Sequence, residues 1–181
     1  MSGDGTSDDE PDATPGGTDS AMDRTRAALD RLARASATER FLLSLAALVL
    51  SIAVGTVNGI ARDREAGVVW FDAHGDFNTP TTTPSGNVHG MALAAVLGRG
   101  TFAGRDWADA GVDPANVALV GVRDLDDEER VALRESDVTV YTMTDVDQRG
   151  LPTVTREAVE TATDGVDCLH VSLDLDFLDP Q

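Results

Sequence analysis

From residue 66 onward the chain repeats one pattern, and that pattern limits it to a small set of folds. Short apolar runs rich in β-branched and aromatic residues alternate with segments of helical spacing. The runs "GVVWFDAH", "NVALVGV", "VTVYTM" and "CLHVSLDLDF" each predict a strand, and the first suits a strand buried on both faces. Between them "HGMALAAVLG" predicts a helix closed by Gly98, and "DDEERVALRES" a second. A third, "TREAVETAT", has Thr153 or Thr155 as its cap. Strand alternating with helix gives an α/β fold with a mostly parallel sheet covered on its faces. Ligands of such sheets bind beyond the carboxyl ends of the strands.

The N-terminal part differs. Residues 1–21 are dense in Asp, Gly, Thr and Pro and cannot bury enough apolar area to offset their ordering entropy. They predict a disordered acidic tail, leaving residues 22–181 as the α/β domain. Residues 41–61, "FLLSLAALVLSIAVGTVNGIA", carry no charge, and by length alone could span a membrane. Gly55, Thr56, Asn58 and Gly59 dilute the last third, so a buried strand followed by a helix is the favoured reading and a membrane-anchored module the lesser one. The chain has 32 Asp plus Glu against 14 basic residues, all arginine, for a net charge of −18. That balance argues against unassisted binding to nucleic acid or anionic lipid, and it resembles the surfaces of halophilic proteins. The single cysteine, Cys168, excludes an internal disulfide and sits in an apolar run as a structural thiol. With no basic N-terminal region ahead of an apolar segment, a cytoplasmic location is expected.

Two of the strands end in acids. The first leads into "DAHGD", with Asp72, His74 and Asp76 at i, i+2 and i+4; the last ends in "DLD", with Asp174 and Asp176 at i and i+2. Alternation along a strand sends such positions to one face. Four carboxylates and an imidazole at one spot repel one another unless cations lie between them. Oxygen ligands with one nitrogen suit Mn²⁺, with Mg²⁺, Fe²⁺ or Co²⁺ as alternatives. Other acidic tracts, "SDDE" and "DLDDEER", are expected to be solvated charge.

The segments "WFDAHGDFNTPTTTPSGNVHGM" and "SLDLDFLDP" resemble two long signature motifs of the arginase branch of the ureohydrolase family. The resemblance runs from about Leu48 to Gln181, and the "NTPTTTPSGNVHG" form separates it from the agmatinases of the same family. It implies a three-layer α/β/α fold, two Mn²⁺ ions per subunit, and hydrolysis of L-arginine to L-ornithine and urea. By position, Asp72 and Asp174 match the carboxylates that bridge the ions. Asp76 matches a ligand of one ion, and His74 and Asp176 match ligands of the other. His89 matches a proton shuttle to the leaving amine, a task suited to a side chain that ordinarily titrates near neutrality. Asn78, Ser85 and Asn87 match the loop that receives the substrate α-carboxylate, and Asp126 the acid near its α-amino group. The family forms homotrimers or homohexamers.

The resemblance has two gaps. Arginases carry an earlier motif, roughly "LGGDHS", whose histidine is a metal ligand; here Leu50 joins Ser51 directly. The only histidines are His74, His89 and His170, the last expected to pack within its strand. The chain also stops at Gln181, just after the second motif, so residues 22–181 are expected to be a partial arginase-like domain. A metal site short of a nitrogen ligand implies fewer than two ions per chain, and an inactive remnant is the alternative reading.

Overall fold

The computed structural model describes Ser36 and residues 52–178. One compact unit spans Met1–Arg40, of which only the exposed Ser36 is described; a second spans Phe41–Gln181 and contains every element below. The expected tail over residues 1–21, and the strand expected before Ser51, lie outside the described residues.

Helix α1 covers residues 52–61. It is followed by β1 (Ala66–Phe71), a 3-10 turn (Val88–Met91), α2 (Ala92–Val96) and β2 (Val117–Val122). Then come α3 (Asp127–Arg134), β3 (Thr139–Thr142), α4 (Met143–Arg149), α5 (Leu151–Ala162), β4 (Cys168–Leu173) and a 3-10 turn (Leu175–Leu178). The strands form one sheet in the order β3-β2-β1-β4, and all three pairings are parallel.

The two central strands are apolar throughout because both of their faces are covered. Val68, Trp70, Val117 and Leu119 point into one core with α1 (Val54, Val57), α2 (Leu93, Val96) and α3 (Ala132, Leu133). Val69, Ala118 and Val120 point the other way, against α5 (Val154, Ala158, Ala162) and Phe177. Period-two alternation thus builds a three-layer sandwich, as expected. No helix among the described residues is long and apolar enough to cross a membrane; the candidate anchor begins at residue 41, outside them.

Four local expectations need correction. The strands end earlier than the apolar runs, at Phe71 and Leu173, so the acids lie in loops and not on pleated strand. The cause is local: Asp72 Oδ1 accepts the His74 N–H at 2.7 Å, and Asp174 Oδ1 accepts the Asp176 N–H at 3.1 Å. Such side-chain turns compete with the ladder and divert the chain. The helix expected over "HGMALAAVLG" is broken, because the Ala94 N–H bonds the Asp76 carbonyl and the Asn78 N–H takes the Gly90 carbonyl. Its expected end holds, with Gly98 at φ +59°. Helix α4 was not expected at all; it starts from a capping box in which Thr142 and Asp145 bond each other's backbone N–H. Helix α5 begins a turn earlier than expected, after Gly150 and with Pro152 in its first turn, so neither Thr153 nor Thr155 caps it. Cys168 is half-buried, its thiol 3.6 Å from the Glu65 carbonyl.

The sheet brings the two acidic loops together. β1 and β4 are neighbours in register, Phe71 opposite Leu173, and the Asp174 N–H bonds the Phe71 carbonyl at 2.9 Å. Phe177 then seats the turn after β4, its ring edge-on to Phe71 at 5.3 Å and packed over Gly121.

Candidate metal centre

Asp72 is 2% exposed, and protein donors fix both of its carboxylate oxygens. Oδ1 takes the His74 N–H, while Oδ2 takes the Trp70 indole N–H at 3.1 Å. Asp176 reaches the same spot from β4. Its Oδ1 accepts the Ala73 N–H at 3.2 Å, and its Oδ2 lies 3.0 Å from His74 Nδ1. The Arg123 guanidinium holds the Asp176 carbonyl at 2.5 Å and so ties this turn to the end of β2. One donor atom each from Asp72, His74 and Asp176 falls within a mutual span of 4.8 Å.

The charges show how unbalanced the cluster is. The hydrogen bond to Asp72 raises the His74 imidazole from 6.5 to about 9, helped by the charges of Asp176, Asp72 and Asp76 and opposed by its own burial. Burial lifts the Asp76 carboxyl well above the carboxylate range, and the charges of Asp72, Glu129 and Asp174 add to the effect. Asp76 also has φ +50°, a left-handed backbone uncommon outside glycine and tolerated best by Asp and Asn. In the protein as described, a proton on His74 partly offsets the negative charge. Two carboxylates held by N–H groups, with an imidazole beside them, are a donor set that could take a divalent cation at the same place.

The remaining expected residues surround this cluster. Asp76, Asn78, Ser85, Asn87, His89, Asp126 and Asp174 line one cleft of about 570 Å³ together with Asp72, His74 and Asp176. Asn78 is 5% exposed; its amide donates to Asp126 Oδ2 at 2.9 Å and accepts from the Thr82 hydroxyl at 3.0 Å. Ser85 and His89 are exposed on the rim. All ten residues therefore share the cleft, while only three of the five expected metal ligands have donor atoms within the 4.8 Å span. His170 lies elsewhere, half-buried on β4 opposite Val68, with burial pushing its imidazole down.

Glu129 was missed. It belongs to "DLDDEER", expected to be solvated charge, yet it is 4% exposed and lines the cleft. Burial pushes its carboxyl up, partly offset by the Phe77 N–H that it accepts at 2.8 Å. The signal was present in the helical spacing, since Glu129 precedes the buried Ala132 and Leu133 by three and four residues on α3.

Comparison with known proteins fits this geometry. The family described as Arginase matches over residues 16–181. The chain belongs to the arginase family. An arginase of Bacillus caldovelox is 47% identical over 133 residues, covering 72% of this chain and 44% of that protein. An arginase of Bacillus subtilis strain 168 is 46% identical over 135 residues, covering 72% and 45%. The chain thus spans less than half the length of these relatives. Among solved structures, the Bacillus caldovelox arginase superposes with a TM-score of 0.64 at 40% identity, over 74% of this chain and 51% of that one. Entamoeba histolytica arginase, solved in complex with L-ornithine, gives 0.62 at 34% identity, over 69% and 44%. The four-stranded parallel sheet with its covering helices is the arginase α/β fold.

Proposed function

We propose that this cleft is a manganese-dependent L-arginine hydrolase centre. The observation that carries the reading is the convergence of Asp72, His74 and Asp176 within 4.8 Å, inside a cleft that Asn78, His89 and Asp126 also line. The Entamoeba histolytica relative, solved with L-ornithine, supports the substrate class. Asp72, His74 and Asp176 would hold the cation, with Asp76 and Asp174 as further carboxylate ligands. Bound Mn²⁺ supplies Lewis acidity and makes water nucleophilic near neutral pH.

The chain's own residues do the rest. Asn78, Ser85 and Asn87 receive the α-carboxylate of L-arginine by hydrogen bonding, and Asp126 faces its α-amino group. Held at that end, the substrate extends its guanidinium toward the acids at the strand ends. His89, on the rim, delivers a proton to the departing amine as the carbon–nitrogen bond breaks. The products are L-ornithine and urea. The test is urea release from L-arginine with added Mn²⁺: activity in the wild type that is lost in Asp176→Asn supports the reading, and no urea from metal-loaded protein sinks it.

One observation favours fewer than two ions per chain. No Gly-Gly-Asp-His stands between Leu50 and Ser51, so a nitrogen ligand expected from the family is absent from the sequence at that point. Elemental analysis of dialysed protein that finds two tightly held Mn²⁺ per chain refutes this stoichiometry.

A further inference from the structure

The stretch Asp76–Phe77–Asn78 joins the metal side of the cleft to the substrate side. Both peptide groups inside it, Asp76–Phe77 and Phe77–Asn78, are committed at carbonyl and N–H alike. The Asp76 carbonyl accepts the Ala94 N–H at 3.0 Å, and the Asn78 N–H donates to the Gly90 carbonyl at 3.2 Å. The central peptide groups have side-chain partners from two different elements. Glu129 Oε1 on α3 accepts the Phe77 N–H at 2.8 Å. Arg99 Nη1 donates to the Phe77 carbonyl at 3.0 Å, with its guanidinium 4.6 Å from the centre of the Phe77 ring.

Arg99 is itself well anchored. It sits between two left-handed glycines, Gly98 and Gly100, both at φ +59°, and its own N–H bonds the Ala94 carbonyl at 2.8 Å. The chain therefore turns back on itself and sends a cationic side chain across 22 residues of sequence to one carbonyl. That carbonyl belongs to the peptide bond leading into Asn78, whose side chain holds Asp126. The two clamps divide the labour: Glu129 holds the peptide on the Asp76 side, and Arg99 holds it on the Asn78 side.

We propose that Arg99 is a positioning residue, which fixes the substrate-side loop of residues 78–87 relative to the acid cluster by holding the Phe77 carbonyl and ring. What that loop receives rests on the arginase reading; the clamp itself does not. A charge-assisted donor on a buried carbonyl is shorter and stronger than a neutral one, and its removal leaves the carbonyl without that partner. Arg99→Met keeps an apolar stem over the ring and removes the donor, whereas Arg99→Lys keeps a cationic donor and loses the flat stacking face.

The test pairs amide hydrogen exchange with ligand titration on the full chain loaded with Mn²⁺. In Arg99→Met, exchange over residues 78–87 speeds up about tenfold while β1 and β2 stay protected. L-Arginine affinity falls about tenfold and Mn²⁺ affinity stays within about twofold, with Arg99→Lys recovering most of the loss. Unchanged loop exchange in Arg99→Met overturns the proposal. So does parallel loss of Mn²⁺ and L-arginine binding in both variants, which marks Arg99 as merely structural. A wild type that binds no L-arginine, yet whose loop loosens on Arg99→Met, upholds the clamp and removes the arginase reading.

Discussion

Replacing Trp70 with Phe tests whether a buried donor sets the metal centre. Trp70 is 3% exposed, and its indole N–H is the partner of Asp72 Oδ2 at 3.1 Å. Phenylalanine fills most of the same space without a donor. A hydrogen bond to a charged acceptor contributes about 1.5–3 kcal/mol. The two carbons lost from the ring add roughly 1–2 kcal/mol of burial. The sum, about 2.5–5 kcal/mol, lowers the melting temperature by on the order of 10 °C for a domain of this size. Metal affinity should fall about 10–100-fold, the usual effect of removing a hydrogen bond behind a ligand. Leu119→Ala is the matched control: Leu119 is fully buried, pairs with Trp70 across β1 and β2, and its truncation costs about 2–5 kcal/mol without touching Asp72. Calorimetric titration with Mn²⁺ separates the two. If Trp70→Phe binds Mn²⁺ like the wild type, or Leu119→Ala loses as much affinity, the indole does not orient Asp72.

Three further outcomes follow from the same geometry. Because His74 is raised from 6.5 to about 9, its protonated form stabilises the metal-free fold. That contribution is complete below pH 6.5 and lost as pH rises through about 9; Mn²⁺ must displace the same proton, so its affinity should climb over that window, measured by titration at several pH values. Gly121→Ala places a Cβ 2.3 Å from the Phe177 ring at a residue with φ +93°, and should destabilise the fold by about 2–4 kcal/mol in denaturant melts. Thr142→Ala removes one half of the α4 capping box and should cost about 1 kcal/mol in the same melts, with Mn²⁺ affinity unchanged.

Much of the fold was legible because β1 and β2 are buried on both faces, so their residues had to be apolar throughout, with valine the commonest. The acids after β1 and β4 were legible for a related reason: charge placed directly behind an apolar run needs a purpose. What places them together was less visible. Strand alternation was the wrong device, and the carboxylates of Asp72 and Asp174 themselves turn the chain by capturing the N–H two residues on. Helix α4 was hidden because Val140 and Tyr141 favour a strand right up to Thr142, although the Thr142–Asp145 spacing marks a capping box. Glu129 was hidden by its acidic neighbours Asp127 and Glu128, which are exposed as expected while it is not. Arg99 carried no pattern of its own, since its partner is a backbone carbonyl that only the folded chain supplies.

The central claim is that Asp72, His74 and Asp176 form a divalent-cation site. Its most direct test is Mn²⁺ binding to dialysed, metal-free protein at about pH 8, followed by electron paramagnetic resonance of the free ion. The account predicts saturable binding of at least one and fewer than two ions per chain, lost in His74→Asn and in Asp176→Asn. No saturable binding by the wild type, or binding that both substitutions leave intact, would contradict it.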